Sequence, residues 1–240
     1  DKVLPSGSAE YDYFGRAVAV YGDTALVGTI GDDDLGSYAG AAYVFVRTDT
    51  TWSLQQKLLA SDGETDDYFG TSVSLYGDTA LIGTSEGPCN IITCSGSAYV
   101  FVRVGTTWSE QYKLLAGGGS SDDDFGRSVS VHGDTALVGA SGDDDLGWYA
   151  GAAYVFVRSG TSWSQEQKLW ASDGAPEDNF GTSVSVYADT ALVGAPGDED
   201  MGSASGSAYV FVRTGTSWSG QQKLWASDGA YNDAFGGSVS

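Results

Sequence analysis

Basic residues are scarce in this chain of 240 residues: 11 lysines and arginines stand against 32 aspartates and glutamates, for a formal net charge of −21. A surface for a phosphate backbone needs clustered cations, so nucleic acid is excluded as a partner. Histidine is rarer still, with His132 alone, and neither a G-x-S-x-G nor an H-E-x-x-H pattern occurs. The usual nucleophilic and metalloprotease constellations therefore have no footing. No run of 18 apolar residues is present, which argues against insertion in a membrane as a helix. Cysteine is limited to Cys89 and Cys94, in one loop, and a zinc site would need two further ligands. No secretory leader is visible, and a chain that starts at Asp1 part-way through a repeat reads as a mature product or a piece of a longer one.

Glycine is abundant, with 35 copies, and its placement is periodic. Phe-Gly recurs at Phe14-Gly15, Phe69-Gly70, Phe125-Gly126, Phe180-Gly181 and Phe235-Gly236, a step of 55 or 56 residues. A fixed period of that length marks an array of supersecondary units. The repeats run 14–68, 69–124, 125–179 and 180–234, flanked by partial repeats 1–13 and 235–240. The cations follow the same period. Lys2, Lys57, Lys113, Lys168 and Lys223 share one position, and Arg47, Arg103, Arg158 and Arg213 another.

Each repeat reads as four short strands. In FGTSVSLY, Val73 and Leu75 alternate with Ser72 and Ser74, and the small serine face predicts a close neighbouring sheet. Gly77-Asp78 is a two-residue hairpin turn, repeated as Gly22-Asp23 and Gly133-Asp134; the fourth copy has Ala188, which carries a steric cost if its φ is positive. TALIG and SAYVFVR are continuous apolar runs, as buried strands require, with an acidic loop between them in three repeats. TWSEQYKLL is polar and alternating, the pattern of an exposed edge. Trp52, Trp108, Trp163 and Trp218 are expected in the core, Trp170 and Trp225 between blades. The fold class is all-β: a β-propeller of four-stranded antiparallel blades of about 55 residues, with an open superhelix or solenoid of the same sheets as the alternative. The partial ends do not complete an integral ring of blades, so the array is expected to continue in further sequence or to stay open and join other copies.

Phe180-Gly181, Gly194-Ala195-Pro196 and the following Gly-Ser-Ala-Tyr-Val-Phe strand resemble the FG-GAP repeat of integrin α-chain propellers and their relatives. The full motif stands only there; the other repeats read Gly28-Thr29-Ile30, Gly83-Thr84-Ser85 and Gly139-Ala140-Ser141 in the second position. The resemblance implies an extracellular or cell-surface recognition module without enzymatic activity. It does not carry over the family's calcium loop, D-x-D-x-D-G-x-x-D between the first two strands, because only the tight Gly-Asp turn is present there. Asp23, Asp78, Asp134 and Asp189 are turn residues on this reading.

In an up-down meander the loops after strands two and four share one end, and 24 of the 32 acidic residues fall in them. The candidate ligands are Asp32 and Asp34, Asp143 and Asp145, and Asp198 and Asp200, oxygen donors suited to Ca2+, set against the reading of a solvated acidic loop. No cofactor is required; calcium is the one that could assist. The aspartate two residues before each Phe-Gly (Asp12, Asp67, Asp123, Asp178, Asp233) is expected to make a structural bond, to backbone amides or a repeat arginine. Tyr38, Trp148 and Tyr149 stand in the acidic loops as candidate glycan contacts or loop packing. Cys89 and Cys94 replace the aspartate run of repeat two and are expected to form a disulfide, which fits a secreted setting.

The leading expectation is an extracellular structural or adhesive module that meets other proteins or copies of itself, with calcium as a possible aid. A carbohydrate-binding propeller and a non-catalytic appendage of a larger enzyme are the alternatives.

Overall fold

The computed structural model describes residues 11–85, 95–120 and 122–240. Among them are four antiparallel four-stranded sheets, each formed by consecutive strands in chain order. The first holds β1 (Phe14–Tyr21), β2 (Thr24–Thr29), β3 (Ala41–Thr48) and β4 (Thr51–Leu58); the second β5 (Ser72–Tyr76), β6 (Thr79–Gly83), β7 (Ala98–Val104) and β8 (Thr107–Leu114). The third holds β9 (Phe125–His132), β10 (Thr135–Ala140), β11 (Ala152–Ser159) and β12 (Ser162–Leu169); the fourth β13 (Ser183–Tyr187), β14 (Thr190–Ala195), β15 (Ser207–Thr214) and β16 (Ser217–Leu224). No helix among the described residues is long and apolar enough to cross a membrane. The expected Cys89–Cys94 disulfide lies outside the described residues.

The core lies between sheets, because a single sheet cannot cover both of its own faces. Leu26, Val44 and Leu58 of the first sheet pack with Phe69, Ile82, Tyr99 and Phe101 of the second, and the same set recurs at the next two junctions. The Phe-Gly phenylalanine ties each junction. Phe69 is fully buried edge-on against Tyr99 of its own sheet, while its N–H donates to Ala39 O of the preceding repeat at 3.0 Å. Phe125 and Phe180 do the same.

Glycine sets how closely the sheets approach. A Cβ on Gly139 in β10 would lie 2.0 Å from Gly181 O of the next Phe-Gly, and Gly28, Gly83 and Gly194 face Gly70, Gly126 and Gly236 in the same way. The serine face of the first strand completes the contact: Ser128 Oγ donates to Gly181 O at 2.7 Å, and Ser130 Oγ accepts the Val186 N–H at 3.0 Å. Small residues on that face are thus a packing requirement, as the sequence predicted.

The fourth strand works differently from a plain solvent edge. It pairs only with the third strand, but its polar side chains bond the following sheet. Gln56 exchanges two 2.8 Å bonds with the Trp108 backbone, and Gln167 two with Trp218. A bulge in each β3–β4-type pairing leaves Gln55, Gln111 and Glu166 outside the register. Those residues accept the indole N–H of the next sheet's Trp108, Trp163 and Trp218. A bulge re-aims one side chain, and here it aims it across a junction.

Repeats one and three place Arg after Phe-Gly and have eight-residue first strands; repeats two and four place Thr there and have five. The threonine hydroxyl adds a bond to the preceding turn, Thr71 Oγ1 donating to Tyr68 O and Thr182 Oγ1 to Asn179 O.

Candidate functional site

The cross-strand register places one tyrosine beside one lysine in every sheet: Tyr43 with Lys57, Tyr99 with Lys113, Tyr154 with Lys168 and Tyr209 with Lys223. Each ammonium lies over its tyrosine ring, 5.0 to 5.5 Å from the centroid. The acidic loop that follows the second strand closes onto this pair.

In the third sheet, Lys168 Nζ lies 2.6 Å from both Asp143 and Asp145, and the Tyr154 hydroxyl donates to Asp143 at 2.8 Å. In the first, Lys57 lies 2.6 Å from Asp32 and 2.7 Å from Asp34, and Tyr43 donates to Asp32 at 2.9 Å. The fourth adds a carboxylate from the preceding repeat. Lys223 meets Asp173, Asp198 and Asp200 at 2.8, 2.7 and 2.6 Å, and the single Tyr209 hydroxyl lies 2.8 Å from both Asp173 and Asp198, either of which can accept its proton. Repeat two, without the aspartate run, keeps Lys113 and Tyr99 on Asp62. The inner aspartates of the three runs are buried, the outer ones exposed.

The candidate calcium ligands are therefore brought together in pairs, as the spacing implied, with a side-chain ammonium between them. Asp173, Asp198 and Asp200 offer oxygens within 4.8 Å of one another, a spacing a cation can use. Yet Lys223 already donates to all three, and a divalent ion would have to displace it. The donor set fits a fixed monovalent charge rather than a six- to eight-oxygen calcium shell. What the composition did not reveal was this pairing, although one lysine and one tyrosine per repeat carried the signal.

These groups shift one another's protonation. Burial pushes the Tyr43 hydroxyl up to about 12, helped by its bond to Asp32. Burial opposes the charge on Lys57, Lys168 and Lys223, but their carboxylate partners outweigh it and hold each lysine above its usual value. Burial likewise opposes ionisation of Asp62, Asp173 and Asp198, and the lysine and tyrosine donors reverse it, leaving all three below the usual carboxylate range.

The aspartate two before Phe-Gly has a different role. Asp67, Asp123, Asp178 and Asp233 each accept the backbone N–H three residues earlier, at 2.7 to 2.8 Å. Of the two partners anticipated, the amide is the one used. Burial raises Asp123 and Asp178 to about 6, against the bond each accepts and with neighbouring aspartates adding to the rise. The turn aspartates stand at the far end, where Asp23, Asp78 and Asp134 pair with Arg47, Arg103 and Arg158.

Tyr38 and the Trp148-Tyr149 pair occupy equivalent loops in separate repeats. Tyr38 packs on Tyr68 at 5.7 Å. Trp148 is 64% exposed, packs edge-to-face with Tyr149, and borders a shallow cleft of about 530 Å3 with Glu177, Asn179 and Glu199. His132 packs at a tilt between Tyr76 and Tyr187, with ring centroids at 4.4 and 4.6 Å, where its tyrosine-equivalent position places it.

The FG-GAP repeat model matches residues 1–45, 52–101, 108–156, 163–211 and 218–240. Each full match starts on a fourth strand and ends on the third strand of the next sheet, so the matched unit spans a sheet junction. No curated protein matches the chain.

Proposed function

Because the chain belongs to the FG-GAP repeat family, we propose that it is an extracellular, non-catalytic structural or adhesive module, its sheets set as propeller blades, that acts through contacts with other proteins or copies of itself. The observation that carries this reading is the repetition of the titratable clusters. Lysine and tyrosine recur at equivalent positions in all four sheets, and in three of them the lysine is held by the same pair of loop aspartates, whereas an active site is a single asymmetric constellation. One asymmetric feature of the rim is an exposed aromatic, Trp148, where repeat one has Ser37 and repeat four Ser203. Exposed aromatics of that kind anchor protein contacts.

On this proposal no metal is required, since each lysine supplies the positive charge that the aspartates need. Beads coated with the purified chain should cluster with one another or adhere to the cells that produce it, and Trp148→Ala should weaken that adhesion. Antibody should label those cells without permeabilisation. A chain found only inside intact cells, or coated beads that stay dispersed and unbound, would sink the reading.

A further inference from the structure

The junction between the third and fourth sheets differs from the two before it at one position. Glu110 of the second sheet reaches across to the first, where its carboxylate accepts the Ser61 N–H at 2.9 Å and the Ser61 hydroxyl at 2.8 Å. Gln165 of the third sheet reaches the second, its amide oxygen accepting the Gly117 N–H at 3.0 Å. In the fourth sheet the equivalent residue is Gly220, opposite Phe211. A Cβ built on Gly220 would meet only Phe211 Cε1, at 3.9 Å. Ser172 stands in the place of Ser61, and β16 presents no acyl oxygen to its N–H or hydroxyl. Where Glu110 and Gln165 fill the earlier junctions, this one has a groove of about 640 Å3, bordered by Trp170, Ser172, Trp218, Gln221 and Gln222. Trp170, expected from the sequence to be packed between blades, is 48% exposed on its edge.

We propose that this groove binds a neutral N-acetylated sugar. The chain shows which group the site takes, since at the two equivalent junctions an acyl oxygen of its own meets the same backbone position. An acetamide carbonyl presents that oxygen to Ser172. Trp170 supplies a flat apolar surface for the C–H face of a pyranose ring, and the bordering glutamine amides match its hydroxyls. The volume suits a mono- or disaccharide. Charge decides between the two acyl oxygens that the chain itself uses. The groove's two lysines, Lys168 and Lys223, are already held by aspartates, and with a net charge of −21 the molecule repels anions, so an uncharged amide is preferred to a carboxylate. The site is separate from the Trp148 cleft and does not depend on the protein-contact reading.

Isothermal titration of the full chain with the N-acetylglucosamine dimer tests this, with the glucose dimer and a glutamine-containing peptide as comparisons. The acetylated dimer is expected to bind, with the glucose dimer weaker by about tenfold or more. Gly220→Gln rebuilds the Gln165 contact onto Ser172, so it should abolish binding while the melting temperature holds or rises. That separates lost binding from lost folding. Trp170→Ala should also remove binding, and Trp148→Ala should leave it unchanged. Absence of binding, equal affinity for the glucose dimer, tighter binding of the peptide, or full binding by the Gly220→Gln chain would each overturn the proposal.

Discussion

Lys223 has the most carboxylate partners of any lysine in the described chain, with Asp173, Asp198 and Asp200 all within 2.8 Å. Removing its charge leaves three carboxylates facing one another, and breaking a partly buried pair in this way costs about 3 kcal/mol. Lys223→Met is therefore expected to melt several degrees lower in EDTA and to recover in millimolar calcium, because the freed oxygens then suit that ion. The unaltered chain should melt at the same temperature in both. Differential scanning calorimetry decides it, and equal calcium responses from the two chains would contradict the role given to lysine. Asp178 works in the opposite sense. Its carboxyl is raised to about 6 when folded, mainly by burial, so its ionisation opposes folding. That cost is absent below the unfolded value near pH 4 and fully present above pH 6. Asp178→Asn keeps the acceptor for the Ala175 N–H and removes the charge. Its stability relative to the parent should rise by ~2 kcal/mol between pH 4 and pH 7, as read by urea unfolding at each pH. A difference independent of pH would refute the assignment.

At the scale of the element, two alanine–glycine exchanges should have opposite signs. Gly139 lies in a strand with ordinary backbone angles, but its α-carbon faces Gly181 O of the next sheet at a distance that admits no methyl group. Gly139→Ala must push the sheets apart and is expected to cost about 3 kcal/mol. Ala188 occupies the hairpin turn where the other repeats have glycine, with φ at +51°. Ala188→Gly relieves the left-handed strain and should stabilise by about 0.5–1 kcal/mol despite glycine's greater freedom when unfolded. Chemical denaturation measures both. The second effect was legible in the sequence, because Gly-Asp turns in three repeats define what the fourth needs. The first was not, since nothing within one repeat shows which glycine touches its neighbour.

At the scale of the whole molecule, each sheet leans on the sheets beside it in the chain, through one phenylalanine, one glycine pair and a set of side-chain bonds to tryptophan. Stability of such an array is a sum of unit and nearest-neighbour terms. Gln56→Ala removes both bonds to the Trp108 backbone, so it should speed hydrogen exchange in the first and second sheets. Exchange in β13 to β16 should remain as it was. Mass spectrometry of the exchanging chain would show it, and uniform acceleration through all four sheets would mean that the array unfolds as one unit.

The sequence by itself determined the period, the four strands of each repeat, the glycine turns and the acidic loops, because these follow from local backbone preference and from apolar alternation. It also placed Asp32 with Asp34, Asp143 with Asp145 and Asp198 with Asp200, and set Trp148 apart from its repeat equivalents. Tertiary structure alone decided what those residues face. Lysine and tyrosine come from neighbouring strands, and Asp173 from the preceding repeat, so no count along the chain brings them to the aspartates. The same holds for Gly220. In the sequence it is one glycine among 35, and only the stacking of two sheets turns its missing side chain into a groove.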